Sequence, residues 1–182
     1  MENLERRDFI KTSAVVAGGA VLSSMPLSGA YAAGSDVIKV ALVGCGGRGT
    51  GATFDALSSG MNIKVVALAD AFKDNLESTY KTLKEKWQDK IDVSDNHKFV
   101  GFGAYKDAIQ LADVVILATP PGFRPMHFEE AIRQGKHVFM EKPVAVDIPG
   151  VQQVLRVAAE AKRKKLNVVV GLQRRYQTNY RE

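Results

Sequence analysis

The sequence predicts a doubly wound α/β domain, a parallel sheet with helices on both faces, and three observations carry that expectation. From Val37 onward, short aliphatic runs alternate with amphipathic helical patterns as far as Leu172. The first run, Ile38–Val43, ends directly in Gly44-Cys45-Gly46-Gly47-Arg48-Gly49, a G-x-G-x-x-G turn from strand into helix. The second run, Ile63–Asp70, ends in an acid 21 residues after Gly49. Strand, glycine turn, helix and a second strand closed by an acid form the pattern of a dinucleotide-binding fold.

Each glycine has its own task in such a turn. Gly44 permits the tight bend, Gly46 lets the backbone come close to a pyrophosphate, and Gly49 lets the following helix pack against the strand. Unpaired N–H groups and the positive end of the helix dipole suit a diphosphate, so Gly44, Cys45, Gly46, Gly47, Arg48 and Gly49 are the expected cofactor grip. Asp70 is expected to hydrogen-bond the ribose hydroxyls on the adenine side. Its carboxylate would repel a 2′-phosphate and occupy its space, which favours NAD over NADP. No Lys-Ser or Lys-Thr follows the glycines, which argues against a P-loop.

The later elements follow in order. Residues 50–59 read as the first crossover helix, closed by Gly60, and residues 73–88 as a longer one whose Leu76, Tyr80, Leu83 and Trp87 recur at three- and four-residue steps. Residues 89–97 read as a polar loop with His97 on the surface, 98–102 as a third strand and 105–109 as a short helix. Residues 113–119 are almost wholly apolar, as a central strand of a parallel sheet should be. In the expected sheet this fourth strand lies beside the first, so Thr119 and Pro120 at its end face the cofactor. A helix over 124–134, a fifth strand over 137–140, a long helix over 147–164 and a sixth strand over 167–172 complete the alternation.

Composition narrows the alternatives. At 46% hydrophobic and 25% charged residues the chain is neither disordered nor fibrous, and one cysteine excludes an internal disulfide. The net charge of +5 is concentrated in residues 162–182, where seven Lys or Arg face one acid. No nucleic-acid-binding pattern accompanies that basic end, so no nucleic-acid partner is expected, and it reads as a solvated helix end and hinge. No metal-ligand spacing stands out either. Residues 1–33 read as an address: Arg6-Arg7-Asp8-Phe9-Ile10-Lys11, a mild apolar run broken by Gly18, Gly19 and Pro26, and Ala30-Tyr31-Ala32 as a small-x-small site. The paired arginines resemble a twin-arginine signal, which implies the export machinery as a partner and a periplasmic or otherwise exported location.

Four features in order resemble the Gfo/Idh/MocA oxidoreductases. They are the glycine turn, Ala69-Asp70, Ala118-Thr119-Pro120-Pro121 with His127 following, and Gly135-Lys136-His137-Val138-Phe139-Met140-Glu141-Lys142-Pro143. The last is the most specific. The resemblance implies that Lys142 is catalytic, touching both the nicotinamide end of the cofactor and the substrate hydroxyl, with Pro143 following a bend that aims it inward. A lysine suits that place because a neighbouring positive charge makes an ammonium easier to deprotonate. It further implies that Glu141 meets the nicotinamide ribose and that His127 sits on the cofactor side. Gln173-Arg174-Arg175-Tyr176 is similar to the family's entry into a substrate domain, so Arg174, Arg175 and Tyr176 are expected to face substrate.

With the N-terminal address, that resemblance gives as expected domains a signal over 1–33, an NAD-binding Rossmann domain over 36–172 and the truncated start of a substrate domain over 173–182. The intact enzyme is expected to oxidise a sugar or polyol hydroxyl with NAD and to be a homo-oligomer. The 182-residue chain is expected to bind cofactor without efficient turnover. Two alternatives stay open: an exported NAD-dependent glycoside hydrolase, and a non-catalytic module that senses cofactor or sugar.

Overall fold

The structure is a computed structural model that describes residues 37–180. The signal expected over residues 1–33 lies outside the described residues. Six parallel strands form one sheet: β1 Ile38–Val43, β2 Ile63–Asp70, β3 Lys98–Val100, β4 Val114–Leu117, β5 His137–Glu141 and β6 Val168–Gly171. Their order is β3-β2-β1-β4-β5-β6, so the winding reverses between β1 and β4. Val43 at the end of β1 pairs with Ala69 on one side and Leu117 on the other. The doubly wound expectation therefore holds, and the reversal point opens a crevice at the carboxyl ends of the strands.

The two-residue period of β1 decides which helices cover which face. Val40 and Leu42 pack with Ala52 and Leu57 of α1 (Gly47–Leu57) and with Leu76 and Leu83 of α2 (Lys73–Lys86). Ala41 and Val43 face the other way, towards α3 (Tyr105–Gln110), α4 (Arg124–Arg133) and α5 (Ile148–Arg163), through Ala108, Phe128 and Val157. Leu42, Leu57, Leu68, Leu76 and Leu83 are each under 2% exposed. Burial of such a side chain contributes about 1.5–3 kcal/mol, so the two cores hold the helices against the sheet. Asp147 caps α5 by accepting the Gly150 N–H at 2.7 Å.

Several boundaries differ from the expected ones. The first helix begins at Gly47, not Thr50, because the glycine turn passes into helical backbone without a linker. Trp87 has left the helix, with φ −128 and ψ 43, and the fully buried positions of α2 are Leu76, Thr79 and Leu83. Only residues 98–100 pair as β3, and Gly101, with φ 114, turns the chain away before Phe102. The loop over 89–97 is not wholly polar surface: Ile91 and Val93 are buried, Ile91 bridges Val65, and His97 is half-buried against Phe99. A short α6 (Gln173–Tyr176) follows β6.

Candidate functional site

A cavity of about 520 Å³ opens at the reversal point. Loops from the carboxyl ends of β1 to β5 all contribute to its wall, and its size falls within the range of small-molecule sites.

The glycine turn forms one side. Gly44 has φ +99, and a Cβ there would stand 2.6 Å from the Thr119 nitrogen, so only glycine fits between β1 and the loop after β4. A Cβ at Gly49 would run into the Gly44 carbonyl oxygen, which is the close helix-to-strand approach expected of it. Gly46 differs: its φ of −82 is ordinary, and nothing lies within 4 Å of its Cβ position. It faces the cavity with Gly47 and Arg48. The Thr50 N–H donates to the Gly46 carbonyl at 2.9 Å, so the first-turn N–H groups before it lack an intrahelical acceptor. No acid stands in that first turn and no side chain caps it, leaving the positive end of the α1 dipole open.

Asp70 closes the same end. The Cys45 N–H donates to its Oδ2 at 2.6 Å and the Phe72 N–H to its Oδ1 at 2.9 Å, which holds the carboxylate on the cavity wall. Cys45 contributes no side chain to the cavity: its Sγ is buried 3.5 Å from the Ala69 carbonyl oxygen. Burial first, and then the Asp70 charge, push that thiol far above its usual range, so it is an inert packing group. The buried Thr79 hydroxyl donates to the Cys45 carbonyl at 2.7 Å and braces the turn from α2. The apolar spacing of α2 pointed to Tyr80 and gave no sign of Thr79. Phe72, Phe102, Phe123 and Tyr105 also line the cavity, although no motif or spacing in the sequence marks them as site residues.

The other end is built from Thr119, Pro120, His127, Glu141 and Lys142. Glu141, buried at the end of β5, accepts from Arg48 Nε at 2.8 Å and pairs with its Nη2 at the same distance, which ties α1 to β5. Loss of Arg48 would deprive that buried carboxylate of its hydrogen-bonded ion-pair partner and leave the charge of Arg124 acting on it. Lys142 is exposed in the cavity, and the Lys142–Pro143 peptide is cis. Thr119 Oγ1 lies 3.1 Å from His127 Nδ1, and the His127 ring is 4.2 Å from that of Tyr105. Burial, and then the Arg124 charge, lower the His127 pKa to about 4, so the imidazole is neutral at physiological pH.

Arg124 was expected only as a helix start, yet it is a wall residue and almost completely buried. An Arg-Pro pair at the start of a helix carries no sequence signal of burial. Arg174 and Arg175 are exposed on α6, after the outermost strand, and neither is on the cavity wall. The Arg174 guanidinium lies over the Tyr180 ring at 5.4 Å, and Tyr176 is the last residue of α6. Of the expected cofactor grip, Cys45 and Gly49 stand behind the wall and the other members form it.

Comparison with known proteins adds four findings. Residues 38–172 match the GFO_IDH_MocA model, described as an oxidoreductase family with an NAD-binding Rossmann fold. A glycosyl hydrolase family 109 protein of Solibacter usitatus is 28% identical over 178 residues, covering 90% of this chain and 38% of that protein. An inositol 2-dehydrogenase of Serratia proteamaculans is 37% identical over 122 residues, or 65% of this chain and 32% of that enzyme. Among solved structures, scyllo-inositol dehydrogenase of Lactobacillus casei with bound NAD(H) and scyllo-inositol superimposes with a TM-score of 0.62 at 26% identity, over 80% of this chain and 39% of that one. The chain spans less than two fifths of the length of these relatives.

Proposed function

The chain belongs to the Gfo/Idh/MocA oxidoreductase family, with its NAD-binding Rossmann fold, and from that premise we propose that it is the nucleotide-binding part of an NAD-dependent oxidoreductase acting on a sugar or polyol hydroxyl. One observation carries the proposal: a single cavity holds the glycine turn and Asp70 together with Glu141 and Lys142. The space over Gly46 and the open first-turn N–H groups of α1 fit a diphosphate. The Asp70 carboxylate fits a ribose diol and opposes a 2′-phosphate, which favours NAD.

When bound, NAD supplies the ring that accepts a hydride. The chain's own residues hold and orient. Lys142 would hold the substrate hydroxyl and, in its amine form, take up its proton at Nζ. Glu141, fixed by Arg48, presents a carboxylate to the nicotinamide-side ribose. The neutral His127 steadies the Thr119 hydroxyl beside it. Support for a polyol substrate comes from the relatives named as inositol dehydrogenases. Export by the twin-arginine route, resting on Arg6-Arg7-Asp8-Phe9, belongs to the same proposal.

A second reading, NAD-dependent glycoside hydrolysis, is favoured by one observation, the family 109 relative that covers 90% of the chain. Release of a nitrophenol from a nitrophenyl glycoside without net NADH would support it, whereas accumulation of NADH with a free polyol supports the dehydrogenase. For the cofactor the test is calorimetric titration with NADH and NADPH. The wild type should bind NADH at least about tenfold more tightly, and Asp70→Ser should narrow the gap by weakening NADH and admitting NADPH. Equal affinities in the wild type would contradict the role given to Asp70.

A further inference from the structure

Arg124 heads the fully buried side chains at 2% exposure, and the chemistry above gives it no task. It opens α4, and its guanidinium reaches two backbone carbonyls. Nη1 donates to the Pro143 carbonyl at 3.1 Å, Nη2 donates to the Thr119 carbonyl, and Nε has no partner. Thr119 follows β4 and Pro143 follows β5, and these strands are neighbours in the sheet. One planar fork therefore joins the two loops that meet at the Lys142 end of the cavity. A buried cation with an unmatched donor is costly, and apolar packing would join the loops at lower cost. A lysine has no such fork and could not span two carbonyls in one plane.

We propose that Arg124 is a positioning residue: by tying the Pro143 carbonyl to the Thr119 carbonyl it fixes the backbone on which Lys142 stands, at the end of the cavity that also holds the Thr119–His127 pair. Lys142 needs this support because its side chain is exposed and, among the described residues, nothing holds its ammonium. The guanidinium has a second effect through charge. His127 lies three residues further along α4, and the cation beside it joins burial in keeping the ring neutral. The fork acts on two carbonyls and the charge on His127 and the Glu141 carboxylate, and Arg124→Lys removes the fork while it keeps the charge.

This role rests on the cofactor site proposed above, and the experiment tells the two apart. The chain and its Arg124→Lys and Arg124→Gln variants are titrated with NADH and with ADP-ribose, which keeps the adenosine and diphosphate but lacks nicotinamide. The wild type should bind NADH more tightly than ADP-ribose. In both variants ADP-ribose affinity should stay within about twofold, while the advantage of NADH falls about fivefold or more, since only the Lys142 end is disturbed. NMR titration of His127 reads the charge separately: its pKa should rise by about a unit or more in Arg124→Gln and stay low in Arg124→Lys.

A wild type that binds neither ligand removes the cofactor site and this role together. A wild type that binds both, with variants that keep the full NADH advantage, overturns the role alone. Parallel loss of ADP-ribose and NADH binding in the variants would mark Arg124 as general support for the fold and also overturn it. Should Arg124→Gln fail to fold, Arg124→Lys still reads the fork, through the NADH advantage at an unchanged His127 titration.

Discussion

Gly44 and Gly46 look alike in the sequence and do opposite work. Gly44 is required by the fold: its positive φ and the Thr119 nitrogen at 2.6 Å leave no room for a methyl group. Gly46 has a permitted backbone and empty space in front of it. Gly44→Ala should therefore lower unfolding stability by more than about 2 kcal/mol, since strain and collision add. Gly46→Ala should leave stability within about 0.5 kcal/mol and weaken NADH tenfold or more, because its methyl stands where the diphosphate must come. Urea unfolding and calorimetry measure the two effects, and equal behaviour of the variants would contradict the division of labour. Gly44, Asp70 and Lys142 were legible because spacing and motif single them out. Arg124 and Thr79 were not, because each acts through a backbone carbonyl that is distant in sequence.

Helix α4 carries the least expected chemistry among the elements. Its inward face holds Arg124, His127, Phe128, Ala131 and Ile132, so two titratable groups share a face with apolar side chains. The folded His127 pKa of about 4 is below its unfolded value of 6.5, so between those values the unfolded chain binds the extra proton. Stability from this group is complete above about pH 6.5 and is lost as pH falls towards 4. Between pH 7 and pH 5 the loss should be on the order of 2 kcal/mol, read by urea unfolding at both values. His127→Gln should flatten that part of the profile, and an unchanged slope would mean that the ring takes up its proton equally in the folded and the unfolded chain. The strands were legible from their aliphatic runs, whereas helix limits were not. Nothing in the composition of residues 47–49 distinguishes the last turn residue from the first helical one, and the Trp87 step continued a helical spacing that the backbone abandons.

At the scale of the whole molecule, the alternation of strand and helix and the acid after the second strand were enough to anticipate the sheet and its reversal point. The sequence left the shape of the cavity open. Its wall gathers residues from Val43 to Lys142, and which aromatic rings reach it depends on turns such as Gly101 that no periodicity records. The arginines of α6 were expected to face substrate; they follow the edge strand β6, are exposed, and are not on this wall.

The proposed chemistry depends on the first turn of α1 gripping a diphosphate while Asp70 holds the adjoining ribose. A crystal structure of the chain soaked with NADH would reveal both contacts at once. The diphosphate should lie on the N–H groups at Gly46, Gly47 and Arg48, with both Asp70 oxygens turned to the ribose hydroxyls and the nicotinamide beside Lys142. An empty crevice at saturating NADH, or a cofactor seated away from the glycine turn, would contradict the account.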